Sequence, residues 1–163
     1  MAQEYSFDVV SSFDHQELAN AVDQTKREIG TRFDFKGVTA EVELHPKEIT
    51  LVAESEYKLT AIREILTAKA IKRSLSPKIF DNGEPEPAPR GNVRQTIKLR
   101  EGIADDLARD LQKRIKAVNT KVQARIQGDT LRVTSRDKDL LQSVIKELRA
   151  LDIPPPLQFI NYR

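Results

Sequence analysis

The chain repeats itself, and the repeat constrains its fold more than any other feature. Residues 41–66, "EVELHPKEITLVAESEYKLTAIREIL", lie on residues 123–148, "QARIQGDTLRVTSRDKDLLQSVIKEL", without a gap at an offset of 82. Seven apolar positions coincide: Val42 with Ala124, Leu44 with Ile126, Ile49 with Leu131, Leu51 with Val133, Leu59 with Leu141, Ile62 with Val144, and Leu66 with Leu148. Turn-forming residues, "HPKE" and "QGDT", fall at the same place in both copies, as two hairpins require. Two similar units of well under 100 residues each are expected, not one large core.

Hydrophobic period assigns the elements. "VTAEVEL", "EITLVAE", "VQARIQ" and "TLRVT" alternate and read as strands. "EYKLTAIREILTAKAIKR" and "RDKDLLQSVIKELRAL" place apolar residues three and four apart and read as helices. So do the upstream stretches "SFDHQELANAVDQTKREIG" and "REGIADDLARDLQKRIKAV". Asp14 is the expected N-cap of the first helix, with Glu17 as its capping-box partner. An alternating strand precedes each helix, "YSFDVV" and "VRQTIKL", and a short apolar piece closes each half, "KIF" and "LQFIN". Each half thus runs strand-helix-strand-strand-helix-strand, the ferredoxin-like split βαβ order, an α+β fold with an antiparallel sheet and two helices on one face. Residues 1–90 and 91–163 are the expected domains, joined through "DNGEPEPAPRGN" (81–92), whose three prolines read as a linker or exposed excursion.

The first helices align at a different offset, 89: Leu18 with Leu107, Val22 with Leu111, Ile29 with Val118. The first half therefore carries about seven extra residues before its second strand, the neighbourhood of "TRFDFKG", where the second half has "NTK". An insertion that the fold does not require, rich in aromatic and charged groups, is a functional candidate. Arg32 and Lys36 suit phosphate, Asp34 a guanine edge, and Phe33 or Phe35 a stacked base. The alternative is that Phe33 and Phe35 plug the base of their own sheet.

Composition excludes several classes. There is no cysteine, so disulfides and thiolate chemistry are out. No run of 18 apolar residues occurs and the N-terminus lacks a signal-peptide pattern, so a cytoplasmic protein without membrane contact is expected. His15 and His45 have no metal or triad spacing, and neither a Walker loop nor GxGxxG is present. No enzyme, metal or cofactor is expected. The charge is uneven: residues 1–81 hold 11 Lys/Arg against 14 Asp/Glu, and residues 82–163 hold 16 against 11, a split that points to different electrostatic roles. Lys69, Lys72 and Arg73 add positive charge near a helix end, where they either complement the helix dipole or meet a ligand. Arg125 and Arg132 lie on strands, either paired with carboxylates or open to a ligand.

The motifs "SFDVVS", "EIGTRFDFKG", "AESEYKL", "VQARIQGDTLRVTSRDKDLLQ" and "QFINYR", spread over essentially the whole chain, resemble those of the YajQ family of bacterial proteins. The resemblance implies two ribonucleoprotein-like, ferredoxin-like domains whose first strands are exchanged, strand 5–10 serving the second domain and strand 92–100 the first. It also implies nucleotide binding, with members linked to RNA, to guanine nucleotides and to cyclic di-GMP. The proline-rich 81–92 segment departs from the family pattern. Charge supports the exchange independently: Arg94 and Lys98 would face the acidic strands bearing Glu41, Glu43 and Glu48, and Asp8 would face Arg132. The ribonucleoprotein signature and its aromatic third strands are missing, which argues against base stacking on the sheet. The expectation is a monomeric, regulatory nucleotide- or RNA-binding protein. The alternative is a module that docks a protein partner without nucleotide affinity.

Overall fold

The computed structural model describes residues 3–163. The chain divides into two compact units, Phe13–Arg100 (the central unit) and Glu101–Arg163 together with the residues up to Ser12 (the terminal unit).

The central unit contains α1 (His15–Thr31), β2 (Ala40–Leu44), β3 (Glu48–Ala53), α2 (Glu56–Lys72), β4 (Phe80–Asn82), β5 (Glu86–Pro87) and β6 (Val93–Leu99). The terminal unit contains β1 (Tyr5–Val10), α3 (Asp105–Val118), β7 (Gln123–Gln127), β8 (Thr130–Ser135), α4 (Lys138–Arg149) and β9 (Gln158–Ile160).

In the central unit the antiparallel order is β2-β3-β6-β4, with β5 also on β6. Period-2 alternation turns Val42, Ile49, Leu51, Ala53 and Ile97 inward. Leu18, Ala21, Val22 and Ile29 of α1 and Leu59, Ile62, Ile65, Leu66 and Ala70 of α2 close the same core. Their spacing of three and four is what puts one helix face there. Each fully buried Leu or Ile contributes about 1.5–3 kcal/mol. On the outer face Lys98 lies opposite both Glu48 and Asp81, and Arg94 opposite Glu86.

In the terminal unit the antiparallel order is β7-β8-β1-β9. Phe7 and Val9 of β1 are buried with Leu131, Val133, Leu111, Ile115, Val144 and Leu148. The outer face carries a charged rung, Arg125 opposite Arg132 opposite Asp8.

Two expectations need correction. Segment 81–92 is not a free linker: Gly83 N–H donates to the Thr96 carbonyl at 2.9 Å, and Glu86 and Pro87 register with Arg94 and Val93. Prolines are tolerated there because the pairing is short and lies along the outside of β6. The seven-residue insertion is also divided. Helix α1 is 17 residues long against 14 for α3, so three of the seven extend the helix and four lengthen the connection. Asp14 caps α1, accepting from the Gln16 and Glu17 N–H groups at 2.9 and 3.1 Å, whereas the Glu17 carboxylate turns to Arg73 at 3.2 Å.

No helix among the described residues is long and apolar enough to cross a membrane.

Candidate functional site

The connection after α1 is a single 3-10 turn, Phe33–Phe35, with extended residues Arg32 and Lys36 on either side. A 3-10 turn has three residues per revolution, so Phe33 and Phe35, two apart, point in different directions. The outcome is a division of labour between the two rings. Phe35 is 4% exposed and belongs to the core, whereas Phe33 is 89% exposed. Phe35 is therefore no stacking platform, because protein closes both of its faces. The Lys58 ammonium lies 5.0 Å and the Arg32 guanidinium 5.4 Å from its ring centre, within cation–π range. Gly37 follows at φ +75°, a left-handed conformation that glycine adopts without strain.

Arg32 and Asp34 form a two-point fork, Nε to Oδ1 at 3.0 Å and an Nη to Oδ2 at 2.8 Å. The pair holds the Asp34 carboxyl below its usual range and raises the Arg32 guanidinium. Glu28 also faces Arg32, at 3.6 Å. Arg32 as a phosphate fork thus needs revision, since its donors already meet two carboxylates. Asp34 keeps acceptor capacity, because a carboxylate offers about four lone-pair sites and the fork uses two of them. Lys58 donates to the Asp34 carbonyl, tying the turn to α2. Lys36 is exposed and makes no side-chain hydrogen bond or ion pair among the described residues.

The helix-end cations separate. Lys69 binds Glu28 at 3.0 Å, the main reason the Glu28 carboxyl falls below its ordinary value. Arg73 binds Glu17 at 3.2 Å and Gln24 at 3.3 Å. Both bridge α2 to α1. Lys72 alone is exposed and unpaired among the described residues.

Arg125 and Arg132 belong to the terminal unit. Arg132 donates to Asp8 at 2.9 and 3.4 Å, and Asn161 adds a bond to Asp8 at 2.8 Å. The Arg132 bond is the principal cause of the lowered Asp8 carboxyl, acting against burial, which raises it. Arg132 is thereby answered within the sheet and is not a free ligand group. Arg125 stays exposed without a partner among the described residues.

Sequence reasoning missed Lys58. A signal was present: a cation in the first turn of a helix opposes the helix dipole and calls for another partner. Here that partner is the Phe35 ring together with the Asp34 carbonyl. Among the described residues no three His, Asp or Glu side chains are grouped to hold a metal ion.

The site assembled by the central unit is therefore a protruding phenyl ring, Phe33, flanked along the chain by the Arg32–Asp34 fork and by the free ammonium of Lys36. Its chemistry is stacking plus attraction of an anion. A family model described as "Nucleotide-binding protein YajQ-like" matches residues 5–163. A nucleotide-binding protein of Picosynechococcus sp. is 50% identical over 163 residues, covering 100% of both chains. Nucleotide-binding proteins of Thermosynechococcus vestitus and Acaryochloris marina are 51% and 50% identical, again over 100% of both chains.

Proposed function

The chain belongs to the YajQ-like nucleotide-binding protein family, and on that premise we propose that it is a non-enzymatic regulatory protein that binds a guanine nucleotide, cyclic di-GMP or RNA. We propose further that it acts in the cytoplasm as a monomer. The observation that carries the reading is Phe33, a phenyl ring 89% exposed between Arg32 and Lys36. Leaving such a ring in water has a hydrophobic cost, and the neighbouring fork and Lys58 hold the turn that presents it. A base stacks on the ring, Lys36 meets the phosphate, and the remaining acceptor capacity of Asp34 faces the base edge. Stacking on one aromatic side chain contributes about 1–3 kcal/mol per base. Lys72 adds positive charge to the same unit without contributing to the stack.

In the same proposal the two units are a tandem ferredoxin-like duplication with exchanged first strands. The pairing of β1 with β8 and β9, and of β6 with β3 and β4, supports that reading.

The test is a binding screen of the whole chain against guanine nucleotides, cyclic dinucleotides and short single-stranded RNAs at two salt concentrations. The proposal expects saturable binding that weakens with salt. For RNA each neutralised phosphate adds about 0.7–0.9 to the slope of log affinity against log salt. No saturable binding in any arm, with a protein partner recovered instead, refutes nucleotide recognition in favour of a docking module.

A further inference from the structure

We infer that the terminal unit holds a separate nucleobase pocket, built around Tyr162. This inference rests on the nucleotide-binding reading above but uses none of the residues around Phe33. Its starting point is a fault in the sheet. Strand β9 registers Ile160 opposite Asp8. Regular antiparallel pairing then sets Tyr162 opposite Ser6, on the outer face. Instead Ser6 and Arg163 exchange both backbone hydrogen bonds, Ser6 N–H to Arg163 O at 3.1 Å and Arg163 N–H to Ser6 O at 3.0 Å. One extra residue has entered the edge. It is accommodated at Asn161, whose φ of +56° lies in the left-handed region that non-glycine residues seldom adopt. The Asn161 side chain is fastened to Asp8 at 2.8 Å. Such a bulge re-aims the side chain that follows it, and bulges recur beside binding sites.

The side chain re-aimed is Tyr162. Its ring lies against Phe7, with centroids 6.2 Å apart and planes at 32°. The bulge thus moves a tyrosine from the outer face to the helix side, yet leaves it 56% exposed. A ring placed there only to fill the core would be covered. Between this tail, β1 and α4 lies a cavity of about 250 Å³. Phe7, Leu141 and Ile145 form its apolar floor, and Tyr5 and Tyr162 supply aromatic walls. Its polar lining includes the amide of Gln142 and the ammonium of Lys138, both exposed and neither engaged in a side-chain hydrogen bond or ion pair among the described residues.

Flat apolar walls, an amide and an unpaired ammonium, with Arg163 also in the lining, select a planar heteroaromatic ring that carries an anionic group. The volume falls just below the roughly 300 Å³ at which pockets for drug-sized ligands begin, so it suits one base rather than a dinucleotide. We assign the pocket to the base of a phosphorylated nucleotide, with Tyr162 stacking, Gln142 reading the base edge and Lys138 meeting the phosphate.

The experiment uses the full chain with isoleucine δ1 methyls labelled. GMP, AMP, CMP and UMP are titrated separately at fixed ionic strength, with inorganic phosphate as a parallel arm. The expected result is a saturable ring-current shift at Ile145 with at least one nucleotide and none with phosphate alone. Tyr162→Ala weakens that response at least tenfold, Tyr162→Leu does the same while keeping an apolar contact with Phe7, and Lys138→Gln weakens it further. Phe33→Ala leaves it unchanged, so loss of the Phe33 surface and loss of this pocket are read apart. An Ile145 methyl that stays still with all four nucleotides overturns the inference, as does an unchanged response in either folded Tyr162 variant.

Discussion

Replacing Phe35 and Phe33 separately by alanine measures how the central unit uses two rings that stand two residues apart. Phe35 is 4% exposed and packs into the cluster formed by α1, α2 and the sheet. Truncating a buried Phe costs about 3–5 kcal/mol in lost transfer free energy and residual cavity. Two cation contacts at 5.0 and 5.4 Å disappear with it, each worth roughly 0.5–1 kcal/mol near a surface. The ring sits beneath an exposed turn that can settle into the space, so the expected total is about 3–4 kcal/mol. For a unit spanning Phe13–Arg100, about 1 kcal/mol shifts the melting temperature by roughly 4–8 °C. Phe35→Ala should therefore melt at least ~12 °C below the parent. Phe33, 89% exposed, should change stability by less than about 0.5 kcal/mol when truncated. Urea unfolding followed at the methyls of Ile49, Ile62 and Ile65 reports this unit specifically. Equal losses for the two variants, or a loss below about 1 kcal/mol for Phe35→Ala, would refute the division between core ring and presented ring.

Three further outcomes follow from the geometry. Asp8→Asn should cost about 1–2 kcal/mol at neutral pH, the lower part of the range for charged hydrogen bonds because the Arg132 side chain is 38% exposed. Because the folded Asp8 pKa is lowered, its stabilisation is complete above the unfolded carboxylate value near 4 and fades as pH falls through the folded value; acid titration of stability should lose that component in the variant. Deleting residues 1–12 should abolish the dispersed Ile115 and Ile145 signals, since Phe7 and Val9 are 1% and 0% exposed in that core, while Ile49 and Ile62 keep theirs. Gly83→Ala should cost about 1–3 kcal/mol by overpacking, because the new Cβ would lie 2.8 Å from the Thr96 carbonyl oxygen; urea unfolding checks it, and a neutral result would mean the 81–92 segment is free to move.

The repeat and its periods made the main strands and helices legible, because a two-residue or a 3.6-residue apolar rhythm leaves little choice of buried face. The opposition of Asp8 and Arg132 was legible from charge alternation along two strands. Other features were not. Proline density in 81–92 masked a short pairing, since the residues that donate there, Gly83 and Ala88, are interspersed with prolines that cannot. Two phenyl rings two residues apart left open which one stacks and which plugs the sheet; a 3-10 turn, with three residues per revolution, separates them. Long side chains are the least legible: Arg32, Lys69 and Arg73 do not read as paired, and each finds a carboxylate on a neighbouring element or turn. The bulge at Asn161 has no sequence rhythm at all, since one added residue at a chain edge disturbs no apolar pattern.

The central claim is that the central unit recognises a nucleotide through the exposed ring and the free ammonium after α1. Isothermal titration of the tightest ligand from the screen into Phe33→Ala and Lys36→Ala tests it most directly. The account predicts unchanged melting temperatures with affinity reduced roughly fivefold to more than a hundredfold for Phe33→Ala, the equivalent of about 1–3 kcal/mol for one stacked base. For Lys36→Ala it predicts at least a tenfold loss and a shallower salt dependence. Parental affinity in both folded variants would contradict it.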